Sequence, residues 1–355
     1  MPIEAFPLVI GWELTLRCNL RCRHCGSSAG LPRRNELTTD EALALCDQFP
    51  DLLVQEVDFS GGEPLLRSDW KDIALYLKDL GINTNILTHG LDLTTDKVHE
   101  MIEVGISCVG ISVDGLEKNH DFIRRWEGAF KRTLQGIDIL NTIGLKLNII
   151  TTVSSLNVDD LPELMRLLQL HGVRFWRLQP LIPVGRAKNH KDLRVEKQSI
   201  LKLGRFIQQC KSKALENGME IISADGLQYI FEEEKTKTSK SWRGCPAGWS
   251  TCGITSNGKV KGCLAMPDEL IEGDLREKDL WDIWFHPEAF DYNRKFNLHQ
   301  IGPNCRDCDM CEPCKGGCSV NSYSSTGIFH NDPYCFYMVS KKKEHPPEPL
   351  RSLTD

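Results

Sequence analysis

Nine of the fifteen cysteines in this chain fall between Cys245 and Cys335, and three more stand within eight residues in Cys18-Asn19-Leu20-Arg21-Cys22-Arg23-His24-Cys25. No other feature restricts the fold so strongly. The later segment is interleaved with Gly, Pro and Asn and carries too little periodic apolar character for an ordinary core. Disulfide scaffolds of such density belong to far shorter secreted chains, so in a reducing compartment these thiols point to metal, whose binding supplies folding free energy.

The N-terminal trio raises the question of what needs three thiols and not four. Thiolates select zinc, copper(I) or iron–sulfur clusters. His24 makes a Cys3His zinc site the simplest alternative, yet Cys22, His24 and Cys25 stand closer together than the usual zinc spacings. A four-iron cluster on three cysteines keeps one iron open, and an open metal position serves a substrate or cofactor.

The trio follows an apolar run that begins an alternation of strands and amphipathic helices. Strands are expected at Leu8–Thr15, Val54–Ser60, Asn83–Thr88, Ser107–Asp114, Leu145–Val153 and Val173–Ile182. Between them lie helices opened by Thr38 and by Ser68, then others at Asp96–Val104, Asn119–Ile143 and Asp159–His171. Six parallel strands fall short of the eight in a closed barrel, which predicts an open one. A helix at Glu196–Asn217 and a strand at Met219–Ala224 follow. The boundaries predicted are a barrel over 1–190, a bridging helix and linker over 191–240, a cysteine-rich unit over 241–340 and a polar tail over 341–355.

A formal net charge of −6 argues against a surface that coats nucleic acid. No signal-peptide pattern and no stretch of 18 apolar residues occurs, so a cytoplasmic protein with no membrane partner is expected.

Cys18-x3-Cys22-x2-Cys25 after the first strand resembles the radical S-adenosylmethionine (SAM) superfamily. The resemblance implies an α/β fold, a partial (β/α)6 radical SAM barrel followed by a small cysteine-rich Fe–S (SPASM) domain. It implies that the three thiolates hold a [4Fe–4S] cluster whose fourth iron binds SAM, and that one electron cleaves SAM to a 5′-deoxyadenosyl radical. Gly61, Gly62 and Glu63, in Ser60–Pro64, match the residues that receive the SAM amino group; Ser112 and Asp114, in Ile111–Gly115, match those near the ribose. His120-Asp121-x2-Arg124-x3-Gly128-Ala129-Phe130 is similar to a motif of the peptide-modifying subfamily, in which the arginine pairs with the SAM carboxylate. Gln179 and Arg186 read equally as cavity-facing or as barrel-mouth packing, and the role of His89 stays open.

The later cysteines, with Gly258, match the seven-cysteine SPASM pattern. By that resemblance Cys245, Cys252, Cys263 and Cys318 hold one auxiliary [4Fe–4S] cluster, and Cys305, Cys308, Cys314 and Cys335 hold a second. Cys308-x2-Cys311-x2-Cys314-x3-Cys318 also has the spacing of a ferredoxin run, which leaves the part played by Cys311 open. The implied activity is oxidative modification of a ribosomally made peptide. A radical enzyme for a small metabolite (a sugar, aminoglycoside or tetrapyrrole) and a non-catalytic electron carrier are the alternatives. Sulfatase maturation is disfavoured because Leu264 follows Cys263 where those enzymes carry Asp. An external one-electron reductant of flavodoxin or ferredoxin type is implied. The trio begins at residue 18, which leaves no room for a leader-binding domain and calls for a separate leader-binding protein or a small-molecule substrate.

Overall fold

The computed structural model describes residues 5–227, 229–230 and 243–344. Residues 231–240 of the expected linker and 345–355 of the expected tail lie outside the described residues. Six strands, β1 (Val9–Thr15), β2 (Glu56–Gly61), β3 (Asn83–Thr88), β4 (Ile106–Ser112), β5 (Leu147–Val153) and β6 (Phe175–Pro180), pair in parallel in chain order. Helices α1 (Thr39–Cys46), α2 (Trp70–Asp79), α3 (Thr95–Glu103), α4 (Glu117–Arg124), α5 (Ala129–Ile143) and α6 (Leu161–Leu170) make the crossovers. Strand alternation sorts the residues into two faces. Ile10, Trp12 and Leu14 lie fully buried on the helix side, where Trp12 meets Phe49 and Phe59 edge-on at 6.2 and 6.1 Å. Gly11 and Glu13 face the lumen, and the register puts Asp58 of β2 and Asn85 of β3 level with Gly11.

Two local expectations change. Ser68 does not cap α2, which starts after Asp69; the Asp69 carboxylate instead accepts from Thr39 Oγ1 at 2.7 Å and Arg67 Nε at 2.6 Å. The single helix expected over Asn119–Ile143 is two, α4 and α5. Arg125 ends α4 in the left-handed region at φ 57°, and the Asp121 carboxylate accepts from the Gly128 and Phe130 N–H groups at 2.6 and 2.8 Å. Asp121 thereby satisfies free donors at the start of α5, which the chain enters through Gly128 at φ 82°.

The sheet continues past the six strands on both sides. After β6 a strap over 181–196 leads to α7 (Lys197–Glu216) and then β7 (Glu220–Ser223), which pairs in parallel with β6. At the other edge β8 (Thr251–Ile254) pairs in parallel with β1, followed by antiparallel β9 (Lys259–Lys261) and β10 (Gly273–Asp274). The cysteine-rich segment therefore does contribute to a core: Ile254, Val260, Trp284 and Phe290 join the main apolar cluster. Its short helices are α8 (Leu280–Trp284), α9 (Asp291–Arg294), α10 (Cys311–Cys314), α11 (Ser319–Thr326) and α12 (Phe336–Glu344). One open sheet of ten strands results, ordered β10-β9-β8-β1-β2-β3-β4-β5-β6-β7. Buried Glu13 ties the units together, accepting from Arg33 Nε and Nη2 at 2.5 and 3.0 Å and from Ser256 N and Oγ at 3.1 and 2.8 Å. Among the described residues no helix is long and apolar enough to cross a membrane.

Candidate active site and cluster sites

Cys18 follows β1 by three residues, which places the cysteine loop at the C-terminal end of the parallel strands, where barrel active sites assemble. Each sulfur of the trio meets one donor: Leu20 N–H at 3.4 Å from Cys18 Sγ, Arg124 Nη1 at 3.8 Å from Cys22 Sγ and Ala29 N–H at 3.3 Å from Cys25 Sγ. Such bonds favour thiolates that bear metal. Burial pushes the Cys18 thiol up to about 11 and also raises that of Cys22, against the opposing charge of Arg124.

The strap after β6 clamps this loop. Arg186 donates from Nε to Cys22 O at 2.8 Å and from Nη1 to Ala29 O at 2.7 Å, while its N–H reaches Cys25 O at 3.0 Å. A side chain at Gly185 would stand 2.1 Å from Gly26 O, so only glycine permits the approach. Arg186 is thus loop packing, one of its two readings from sequence.

Gly61 and Gly62 end β2 against the continuation of β1. Gly62 N–H donates to Thr15 O at 2.8 Å and Glu63 N–H to Arg17 O at 2.9 Å. The close backbone approach that demands glycine here is to the chain's own Leu16 and Arg17. Glu63 is buried; its carboxylate accepts from Thr88 Oγ1 at 2.9 Å and His89 N–H at 3.1 Å. His89, whose role sequence left open, has an acceptor Nδ1, since Leu91 N–H points at it from 3.1 Å. Its Nε2 therefore carries the proton and lies 2.7 Å from Asn19 Oδ1 and 3.1 Å from Glu63 Oε2, linking the cysteine loop to the carboxylate.

Asp114, fully buried after β4, accepts from Arg124 Nη2 at 2.5 Å and Thr152 N–H at 2.9 Å, with His24 Nε2 at 3.1 Å. Arg124 and then His24 hold its carboxyl well below the usual carboxylate range, against the opposing effect of burial. His120 accepts from Asp114 N–H through Nδ1 at 3.1 Å, and burial followed by the Arg124 charge lowers it to about 3, so it stays neutral. Ser112 sits half-buried at the end of β4. Spacing gave no hint that His24, Asp114, Arg124 and Cys22 form one chain of contacts.

The later cysteines fall into two groups. Cys305, Cys308, Cys311, Cys314 and Cys335 line one cavity with Asp332, Tyr229 and Tyr337. Cys245, Cys263 and Cys318 pack around Ala247, Met266 and Val320. Cys252 stands apart from that packing: it belongs to the main core beside Ile254, and of the three only Cys263 is near enough for its charge to bear on the Cys252 thiol. Cys46 is a buried core thiol. Sequence reasoning missed Asp225, whose carboxyl charge bears on the Cys318 thiol.

Among the described residues no three His, Cys, Asp or Glu side chains converge as a single metal ion requires. Buried polar atoms lacking a partner among the described residues mark all three sites: His24 Nδ1 and Arg124 Nε at the first, Tyr292 Oη beside Cys245 and Cys263, and Asp332 Oδ2 beside Cys305 and Cys335. Buried groups of this kind call for an occupant.

The Radical SAM superfamily pattern matches residues 12–168, and the pattern described as an iron-sulfur cluster-binding domain, SPASM, matches residues 245–315. AdoMet-dependent heme synthase of Methanosarcina barkeri is 31% identical over 358 residues, covering 95% of this chain and 98% of that protein. Mycofactocin maturase MftC of Mycolicibacterium smegmatis is 26% identical, covering 93% and 82%. Among solved structures, Streptococcus suis SuiB bound to its precursor peptide SuiA has a TM-score of 0.76 at 19% identity, covering 93% of this chain and 76% of that one, which shows the fold. This chain belongs to the radical SAM superfamily and carries the SPASM iron–sulfur domain. Its cofactors are [4Fe–4S] clusters and SAM.

Proposed function

We propose that this radical SAM enzyme oxidatively modifies a tetrapyrrole. The observation that carries the reading is the similarity to AdoMet-dependent heme synthase, which runs over 95% of this chain and 98% of that protein. The lumen supports it chemically: Arg177 of β6 is exposed and its charge bears on both Asp58 and Asp225, providing a cation for a substrate carboxylate among neutral polar groups such as Asn85.

Cys18, Cys22 and Cys25 would hold the SAM-binding cluster; once reduced, that cluster and SAM supply a 5′-deoxyadenosyl radical that abstracts hydrogen from an unactivated C–H bond. Glu63, fixed by Thr88 and His89, is the acceptor we assign to the SAM ammonium, with Gly61 and Gly62 setting its position. Arg124 has Nη2 on Asp114 and Nη1 on Cys22, which leaves the unpartnered Nε–H for the SAM carboxylate. Ser112 and Asp114 would lie toward the ribose. The Cys245 and Cys305 groups would hold two auxiliary clusters, which would supply an acceptor for the electron left on the substrate, with a flavodoxin- or ferredoxin-type donor as the external reductant.

A peptide substrate is the second reading, favoured by the similarity to mycofactocin maturase, and it would bring in a leader-binding partner. The experiment that separates them uses anaerobically reconstituted enzyme with SAM, dithionite and either iron-coproporphyrin III or a side-chain-deuterated peptide encoded nearby. The expected outcome is a mass change in the tetrapyrrole matched by 5′-deoxyadenosine. Deuterium transfer from the peptide with no tetrapyrrole product would overturn the proposal.

A further inference from the structure

The first auxiliary site has Cys263 on one face of β8 and Cys252 on the other. In the parallel register Ile10 lies opposite Cys252, Gly11 opposite Gly253 and Trp12 opposite Ile254. Because side chains alternate along a strand, Cys252 shares the helix-side face with Ile10 and Ile254, where it is wholly buried in the main core. Gly253 faces the lumen: a side chain there would stand 2.6 Å from the Cys263 carbonyl carbon and 2.4 Å from Leu264 N. The turn that presents Cys263 therefore crosses the lumen face, and the strand itself separates Cys252 from it.

On that lumen side a carboxylate completes the set. Asp225 follows β7 at φ 40°, a left-handed turn that Asp tolerates better than most residues. The turn is held at both ends, by Ala224 N–H on Leu178 O at 3.0 Å and by Phe336 N–H on Gly226 O at 2.9 Å. The Asp225 carboxyl lies beside the Cys318 thiol and near enough to Cys263 for its charge to bear on both thiols. No pairing with an arginine accounts for this placement, since Arg177 bears on it from a strand away.

We propose that Asp225 is the fourth protein ligand of the first auxiliary cluster, with Cys245, Cys263 and Cys318, and that Cys252 is a core thiol that binds no iron. The inference rests on the reading that this trio holds a four-iron cluster. An oxygen donor is harder than a thiolate and matches iron in such a cluster less well, so the Asp225 iron is the one able to exchange its ligand with a molecule in the lumen.

The test isolates the auxiliary clusters in a Cys18→Ala/Cys22→Ala/Cys25→Ala background, reconstituted anaerobically and examined by iron analysis, EPR and Mössbauer spectroscopy with and without cyanide. Cys252→Ala should keep about eight irons, two four-iron clusters, and an unchanged spectrum. Asp225→Ala should shift the signal of one cluster and make it cyanide-sensitive, and Asp225→Cys should restore a cyanide-resistant, all-thiolate signal. Loss of about four irons in Cys252→Ala, with Asp225→Ala and Asp225→Cys indistinguishable from their parent, would overturn the proposal. Cys245→Ala tests the underlying reading by itself: if it costs no iron, the trio holds no cluster and the proposal falls with it.

Discussion

Gly62→Ala probes whether the SAM-facing turn is set by the chain's own backbone. The new methyl carbon would stand 2.1 Å from Arg17 O, 2.6 Å from Arg17 C and 2.7 Å from Leu16 O, all main-chain atoms that no rotamer change can move. Relief requires the end of β2 to part from the residues after β1, across the bonds from Gly62 N–H to Thr15 O at 2.8 Å and from Glu63 N–H to Arg17 O at 2.9 Å. Two backbone hydrogen bonds are worth about 1 kcal/mol each, and the forced displacement adds about 1–3 kcal/mol, for a total of about 3–5 kcal/mol. With a urea slope of about 3 kcal/mol/M, the unfolding midpoint of the iron-free protein should fall by about 1–1.7 M. SAM binding should weaken as well, because Glu63 moves with the turn. Gly128→Ala is the control: φ is 82° but nothing lies within 4 Å, so only the left-handed backbone cost of about 1–2 kcal/mol applies. A Gly62→Ala protein that unfolds with the Gly128→Ala variant or above it would refute the reasoning.

Two further predictions concern the later segment. Arg276 donates to the Glu41 carboxylate at 2.7 and 2.9 Å and, as the largest influence, holds it at about 2, below its ordinary value of 4.5. The folded value is depressed, so the stability this pair contributes is present above the unfolded value and is lost as the pH falls from about 4.5 through about 2. Glu41→Gln should therefore narrow the gap to wild type across that window, by no more than about 1 kcal/mol for so exposed a pair; parallel melting curves of the two iron-free proteins from pH 7 to pH 2 would sink the argument. Cys311 lines the second auxiliary cavity but starts α10 half-buried, whereas Cys335 is buried beside Cys305 and Cys314. Cys311→Ser should leave iron content and cluster spectra intact while Cys335→Ser costs about four irons, and the reverse result would assign Cys311 as the ligand.

What could be read from the sequence divides along the distance between interacting residues. The cysteine trio, the strand and helix order and the Thr38 cap depend on neighbours within a few positions, and each is where the spacing puts it. Asp121 shows the limit of local reading: it looked like part of one long helix, yet it caps the second of two, because its bonds to Gly128 and Phe130 need a break that the apolar period does not encode. Gly62 and Asp225 lie beyond that limit. The first is glycine because residues 16 and 17 lie against it, and the second meets a thiol 93 positions later, so neither has a local signature. The pairing that matters most is of the same kind. β8 lies in parallel register with β1 across some 240 residues, and it is this ladder that carries Cys263 over the lumen face while turning Cys252 away from it. Cys18 leaves β1 three residues past its end, so a single strand pair sets the SAM-binding loop and the first auxiliary site in one frame. A cysteine count reads both groups as metal sites, but which thiols face the same lumen is decided by the pleat, which a motif match does not encode.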